Sequence, residues 1–189
     1  MKKVLVIVYP EYADFQIAHT LFLLKKLGDV KITTASLDGK AVESIGSLKT
    51  MVDTSLSEIK LVEYDLILIP GGDGIPQLLE ETVMKETLKR AHTSNIPIAT
   101  ICGAAAFLAR VGILKGKRFT CRLETYETNR TLFEESIYTG APLEKDQLVI
   151  TAKPTAFAEL AIAVGEMLHL FRNKQQSTAL YSFCKGENS

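Results

Sequence analysis

Two apolar rhythms alternate along the chain. Lys3–Tyr9, Tyr64–Ile69 and Ile96–Ile101 are short apolar runs with little polar interruption. Strands of a parallel sheet read this way when both faces are buried. Val30–Ala35, Arg118–Cys121 and Gln147–Thr151 read as further strands. Between them, apolar residues return at helical spacing. Ile17, Leu21 and Leu24 share one face of an expected helix over Phe15–Leu27, which Asp14 is placed to cap and Gly28 to end. Leu78–His92 and Ala104–Val111 follow the same rule, the latter closed by Gly112. A last helix runs from Thr155 to about Phe171, with Leu160, Val164 and Met167 as its stripe. Ala41–Val52 reads as a small hairpin around Gly46. Leu123–Glu135 is polar and without a clear period. Lys174–Ser189 is polar except for Leu180-Tyr181-Ser182-Phe183, and is expected to form a short helix that docks late.

Strands alternating with helices through short loops predict an α/β fold: a flavodoxin-like, doubly wound, mostly parallel sheet with helices on both faces. In such sheets ligands bind beyond the carboxyl ends of the strands. The loop after Val8, the loop Pro70-Gly71-Gly72-Asp73-Gly74 and the turn at Cys102 all lie at such ends. They are expected to converge on one crevice.

Composition narrows the class. The chain has 189 residues, 47% of them apolar and 23% charged, as expected of a single globular domain with a sizeable core. The 22 basic and 22 acidic residues cancel, so nothing points to nucleic acid or a membrane surface as partner. No run is long enough to span a membrane. The apolar run after Met1-Lys2-Lys3 stops at Tyr9-Pro10-Glu11 and reads as a first strand rather than a signal peptide. Cys102, Cys121 and Cys184 are widely spaced and make no zinc pattern with the three histidines, so neither a metal nor a cofactor is expected. Free cysteines of this kind fit a reducing cytoplasm.

Cys102 carries the strongest chemical signal. Ile98-Ala99-Thr100-Ile101 stops at the cysteine, and Gly103-Ala104-Ala105-Ala106 then turns helical. A thiol at such a strand–turn–helix corner projects past the strand's carboxyl end, towards the positive end of a helix, where thiolate is favoured. The same device presents the serine of α/β-hydrolases. The plainer alternative is a buried cysteine acting as a small hydrophobe.

Leu68-Ile69-Pro70-Gly71-Gly72, Ile98–Gly103 and Leu108-Ala109-x-x-Gly112-Ile113-Leu114 together resemble the ThiJ/PfpI family. This is the parkinsonism-associated deglycase superfamily, with a class I glutamine amidotransferase-like fold. Glu144–Ala152 followed by Thr155-Ala156-Phe157 matches the family's closing strand and helix, so the resemblance spans roughly residues 1 to 170. It implies one ThiJ/PfpI-like domain over residues 1–189, with 171–189 as a C-terminal extension, usually a homodimer acting on a small molecule. It also implies a reactive Cys102, with the backbone N–H groups of Gly72 and Gly103 as oxyanion donors.

The departures are as informative. Where the family places a glutamate against the sulfur, this chain has Gln16; Glu11 and Asp14 fall off that position. Glutamine can hydrogen-bond to a thiolate but cannot exchange a proton in ordinary catalysis. Protease members carry a histidine after the cysteine, where Gly103 stands here, and a second family histidine aligns near Glu135. His19, His92 and His169 read as helix residues away from the elbow. Asp73, Glu124 and Glu127 are the carboxylates expected at the crevice rim. Cys121 and Arg122 are expected beside it, as a neighbouring thiol and a cation able to hold an anion.

Three functions remain in view. The first is a cysteine-dependent enzyme, amidase/hydrolase- or glyoxalase/deglycase-like, acting on a small carbonyl or amide compound; protease activity is disfavoured. The second is a redox or stress-responsive protein whose cysteine is oxidised, which needs no base. The third is a catalytically degenerate binding module.

Overall fold

The structure, a computed structural model, describes residues 1–187. Asn188 and Ser189, the end of the expected tail, lie outside the described residues. The chain begins with β1 (Lys3–Ile7), α1 (Ala18–Gly28) and β2 (Lys31–Ser36). The hairpin β3 (Val42–Glu43) and β4 (Lys49–Thr50) follows, then β5 (Thr54–Ser55) and β6 (Leu66–Ile69). Next come α2 (Ile75–Leu78), α3 (Thr82–Thr93), β7 (Ile98–Ile101) and α4 (Ala105–Arg110). The last third holds β8 (Arg118–Phe119), α5 (Leu123–Thr128), β9 (Ile137–Tyr138), β10 (Leu143–Asp146), β11 (Val149–Ala152), α6 (Phe157–Met167) and α7 (Lys174–Lys185).

Seven strands form the main sheet in the order β10-β11-β7-β6-β1-β2-β5. Every pairing is parallel except β10 with β11. The central strands β1, β6 and β7 are buried almost throughout, which is why their sequences show no alternation. From β1 the chain moves outward to β2, then returns to lay β6 on the other side of β1. With right-handed crossovers this reversal puts successive helices on opposite faces and opens a crevice beyond the carboxyl ends of β1 and β6. Accordingly α1 packs against α6 and α6 against α7, while α3 meets α4.

Several local expectations need correction. Asp14 does not cap α1: residues Asp14–Gln16 form a 3-10 turn, and the helix starts at Ala18 behind Ile17. Asp14 instead turns beneath the β3–β4 hairpin, with both carboxylate oxygens 3.0 Å from where a Cβ on Gly46 would sit. Gly28 lies inside α1, and the left-handed residue that ends the helix is Asp29. The helix expected over Leu78–His92 begins at Thr82 as α3, and Leu78 instead ends the short helix α2. Residues 143–146, outside the strand that the apolar pattern predicts over Gln147–Thr151, pair antiparallel with β11 as β10. His169 lies beyond the end of α6, in a left-handed conformation.

The polar stretch after Cys121 is ordered by aromatic contacts that no helical period reveals. Phe119 stacks on Phe133 with centroids 4.8 Å apart, and Tyr126 stacks on Tyr138 at 4.1 Å. This cluster fixes α5 against the small β8–β9 sheet. The tail is a 12-residue helix held on α6: Tyr181 donates to Glu159 at 2.8 Å, and Lys185 pairs with the same carboxylate. Its start is closed reciprocally, since Asn173 accepts from the Gln176 N–H and the Gln176 side chain accepts from the Arg172 N–H.

One buried side chain ties the core to the crevice. The Tyr9 ring lies edge-on to Phe107 at 5.9 Å, and its hydroxyl donates to the Pro70 carbonyl at 2.7 Å. Tyr9→Phe leaves that carbonyl without its side-chain donor. The expected loss is about 1–2 kcal/mol in urea unfolding, and an unchanged midpoint would refute the role of this bond.

Candidate active site

β7 ends in extended backbone at Ile101, and the next residue, Cys102, has a φ of 64°. A non-glycine residue in this region costs about 1–3 kcal/mol and persists only where its surroundings hold it. Here Cys102, Gly103 and Ala104 turn directly into the buried helix α4, and the Arg122 N–H donates to the Cys102 carbonyl at 3.2 Å. The thiol stands at the corner, and the residue is 9% exposed.

The Pro70–Gly74 loop closes over the cysteine. A Cβ on Gly71 would lie 2.5 Å from Cys102 Cβ, 3.1 Å from its Sγ and 2.5 Å from Gln16 Oε1. No larger residue fits while the thiol and Gln16 keep their places. Gly72 has a φ of 143° and bridges antiparallel to Tyr12. That bridge is made by the Ala13 N–H to Gly71 O at 2.7 Å and the Asp73 N–H to Glu11 O at 3.0 Å. It leaves the N–H of Gly72 itself out of the pairing. The N–H of Gly103 lies in the first turn after the elbow, where backbone donors lack intrahelical acceptors.

Gln16 is buried at 3% exposure. Its Oε1 accepts from the Gly71 N–H at 3.0 Å, and its Nε2 donates to the Pro154 carbonyl at 3.5 Å. Its amide thus lies near the thiol, as expected, and braces the glycine loop against the loop after β11. A histidine at position 103 would crowd its neighbours. A Cβ there would meet Ile75 Cδ1 at 3.0 Å and Thr125 Oγ1 at 3.1 Å.

A cavity of about 280 Å³ opens above the sulfur. Gly72, Asp73, Cys102, Gly103, Arg122 and Glu124 all line it, so six of the residues singled out from sequence come together. Ile75, Pro76, Leu79 and Ala106 supply an apolar wall. Thr125, Thr128 and Asn129 supply a polar one that sequence reasoning missed. The only trace in the sequence was the helical spacing of three small polar residues, which is also that of any solvated helix face. Arg122 forms an ion pair with Glu124. Glu127, also expected at the rim, does not line the cavity.

Cys121 is buried, and its thiol donates to the Arg122 carbonyl at 3.3 Å. Burial, aided by the Cys102 charge, pushes this thiol up to about 12. Burial likewise raises the Tyr9 phenol, with Cys102 and Asp73 adding to it. None of the three histidines lines the Cys102 cavity. His19 packs on Phe157, His92 borders a small cleft near Gln147, and His169 lies between α6 and α7. Glu135 pairs with Lys115 outside the cavity. The groove between α6 and α7 is larger, about 580 Å³, but open and without a nucleophilic thiol, so the smaller Cys102 cavity is the candidate site. No cluster of metal-ligating side chains occurs among the described residues, and no helix there is long and apolar enough to cross a membrane.

Residues 2–167 match the model of the DJ-1/PfpI family. Over 172 residues the chain is 30% identical to a Bacillus subtilis protein named uncharacterized protease YdeA, covering 89% of this chain and 84% of that one. It is also 30% identical to the protein dj-1beta of Drosophila melanogaster, with 88% and 89% covered. Among solved structures, a DJ-1 superfamily protein from Agrobacterium tumefaciens superposes with a TM-score of 0.88 at 26% identity, covering all of both chains. With its mostly parallel sheet and its cysteine elbow at the expected place, the chain belongs to the DJ-1/PfpI family.

Proposed function

We propose that this protein is a cysteine-dependent enzyme that uses Cys102 as nucleophile on a small carbonyl or amide compound. The observation that carries this reading is the left-handed Cys102 elbow at the floor of a 280 Å³ cavity, beside the N–H of Gly72, which the bridge to Tyr12 leaves out of its pairing. Attack forms a C–S bond, and the carbonyl π pair moves onto oxygen. The Gly72 and Gly103 N–H groups are the donors assigned to that oxyanion. With an aldehyde the product is a hemithioacetal. With an amide, collapse expels the amine and water then cleaves the thioester. Gln16 positions the loop and transfers no proton, so protons come from water or from the substrate itself. Relatives named deglycase, in Escherichia coli and Pyrococcus furiosus, lend this reading weight. A Cys–His protease mechanism has no support, because no histidine reaches the cavity.

A second reading rests on that same lack of a base: Cys102 is oxidised by peroxide in a redox or stress response. The unit is proposed to be a cytoplasmic homodimer. Its contact face would include the exposed Phe15, Ile45, Leu48 and Met51, carried by segments that the Ile45 N–H to Tyr12 carbonyl bond holds together.

Turnover on a panel of small aldehydes and amides is expected to vanish in Cys102→Ala; full retention would end the nucleophile reading. Peptide mass spectrometry after mild peroxide decides the second reading, which fails if Cys102 oxidises no faster than Cys184. Cys121 is expected to resist iodoacetamide at pH 8 until the chain is denatured. Unfolding returns its thiol to an ordinary value of about 8.5, so its contribution to stability falls as pH rises from there towards 12. In light scattering, twice the 20.8 kDa chain mass is expected, with Phe15→Glu shifting it to one.

A further inference from the structure

The charges around the Cys102 cavity are unevenly balanced. Asp73 lines it, and no lysine or arginine pairs with its carboxylate among the described residues. Arg122 is the cation that lines it, and Glu124 occupies it in an ion pair. The remaining walls are uncharged, apolar at Ile75 and Leu79 and polar at Thr125 and Asn129. The Thr125 side chain stands over Gly103, its Oγ1 3.1 Å from where a Cβ would be.

We infer that the cavity selects small uncharged electrophiles and turns anions away, with Asp73 as a specificity-determining residue and Glu124 holding Arg122 from attracting anions. This deepens the reading of Cys102 as the reacting thiol and rests on it. The substrate class is then a neutral carbonyl or amide compound with a short apolar substituent facing Ile75 and Leu79. A polar group on it would face Thr125 and Asn129. Carboxylates such as 2-oxo acids fall outside it. A cavity of this size is at or just below the small end of ligand pockets, about 300–1,000 Å³, and leaves little room to hold a carboxylate away from Asp73. Asp73 lies two residues beyond Gly71, and its backbone is fixed there. Its N–H is tied to the Glu11 carbonyl at 3.0 Å, within the bridge that holds the glycine loop.

Iodoacetamide and iodoacetate test this directly. They are close in size, each forms an S–C bond with loss of iodide, and they differ in charge. Alkylation of Cys102 in the full chain is followed by peptide mass spectrometry. The amide-to-acetate rate ratio is divided by that of 2-mercaptoethanol, an uncharged reference thiol. A ratio roughly tenfold above the reference is expected at low salt, shrinking in 0.5 M salt as screening sets in. Asp73→Asn is expected to lower it about threefold, the scale of one water-screened charge at the edge of the same cavity. Glu124→Gln should lower it too, by freeing Arg122, whereas Arg122→Gln should raise it. A wild-type ratio equal to the reference, or one unmoved by Asp73→Asn, overturns the inference. The ratio is read at any absolute rate. Slow alkylation of Cys102 by both reagents would therefore count against the nucleophile reading alone.

Discussion

The close approach of the Gly71 backbone to the Cys102 side chain constrains everything around it. The space a Cβ would need at position 71 is already taken by the cysteine and by Gln16 Oε1. The sulfur therefore sits against a backbone rather than a side chain, and the loop after β6 is pressed onto the elbow after β7. Cys102 can hold its left-handed conformation because Ile101 is locked in the sheet, α4 is buried behind it and Arg122 binds its carbonyl. The strain of about 1–3 kcal/mol is borne by this packing.

Other elements follow from that contact. The 3-10 turn at Asp14–Gln16 brings the Gln16 amide to the Gly71 N–H, which a regular helix from Phe15 onward would not do. Tyr9 reaches the Pro70 carbonyl from beneath, and Tyr12 bridges to Gly72 from the side. The segments after β1 and β6 are thus tied by hydrogen bonds, and the elbow after β7 packs against them, before any ligand arrives. Such preorganisation makes fixed N–H dipoles effective against a developing charge. It also commits Gln16 to both of its bonds, one to the Gly71 N–H and one to the Pro154 carbonyl.

The site's electrostatics follow from what each group can reach. Cys121 lies one residue from Arg122, yet burial keeps its thiol protonated while Cys102 faces the cavity. The two cysteines share a neighbourhood, but Cys102 borders the cavity and Cys121 does not. Arg122, read from sequence as a cation able to hold an anion, is taken by Glu124.

Unbroken apolar runs at Lys3–Tyr9, Tyr64–Ile69 and Ile96–Ile101 were enough to place the central strands, because burial on both faces leaves no freedom for polar residues. The abrupt stop at Cys102-Gly103 and the Pro-Gly-Gly loop made the elbow and its covering loop legible for the same local reason: few residue types tolerate those backbone angles or that closeness. Asp14 had the residue type of a helix cap, but its carboxylate lies against Gly46 of the hairpin and caps no helix. The polar face of α5 was hidden, since Thr125, Thr128 and Asn129 look like any solvated helix surface until the Phe119–Tyr138 aromatic cluster turns them over the thiol. The sequence by itself determined the strands, the elbow and the glutamine and glycine that stand at positions 16 and 103, because these depend on local burial and residue chemistry. Only the tertiary structure decided which polar groups face the cavity and which charges are already paired, because those depend on contacts between segments far apart in the chain.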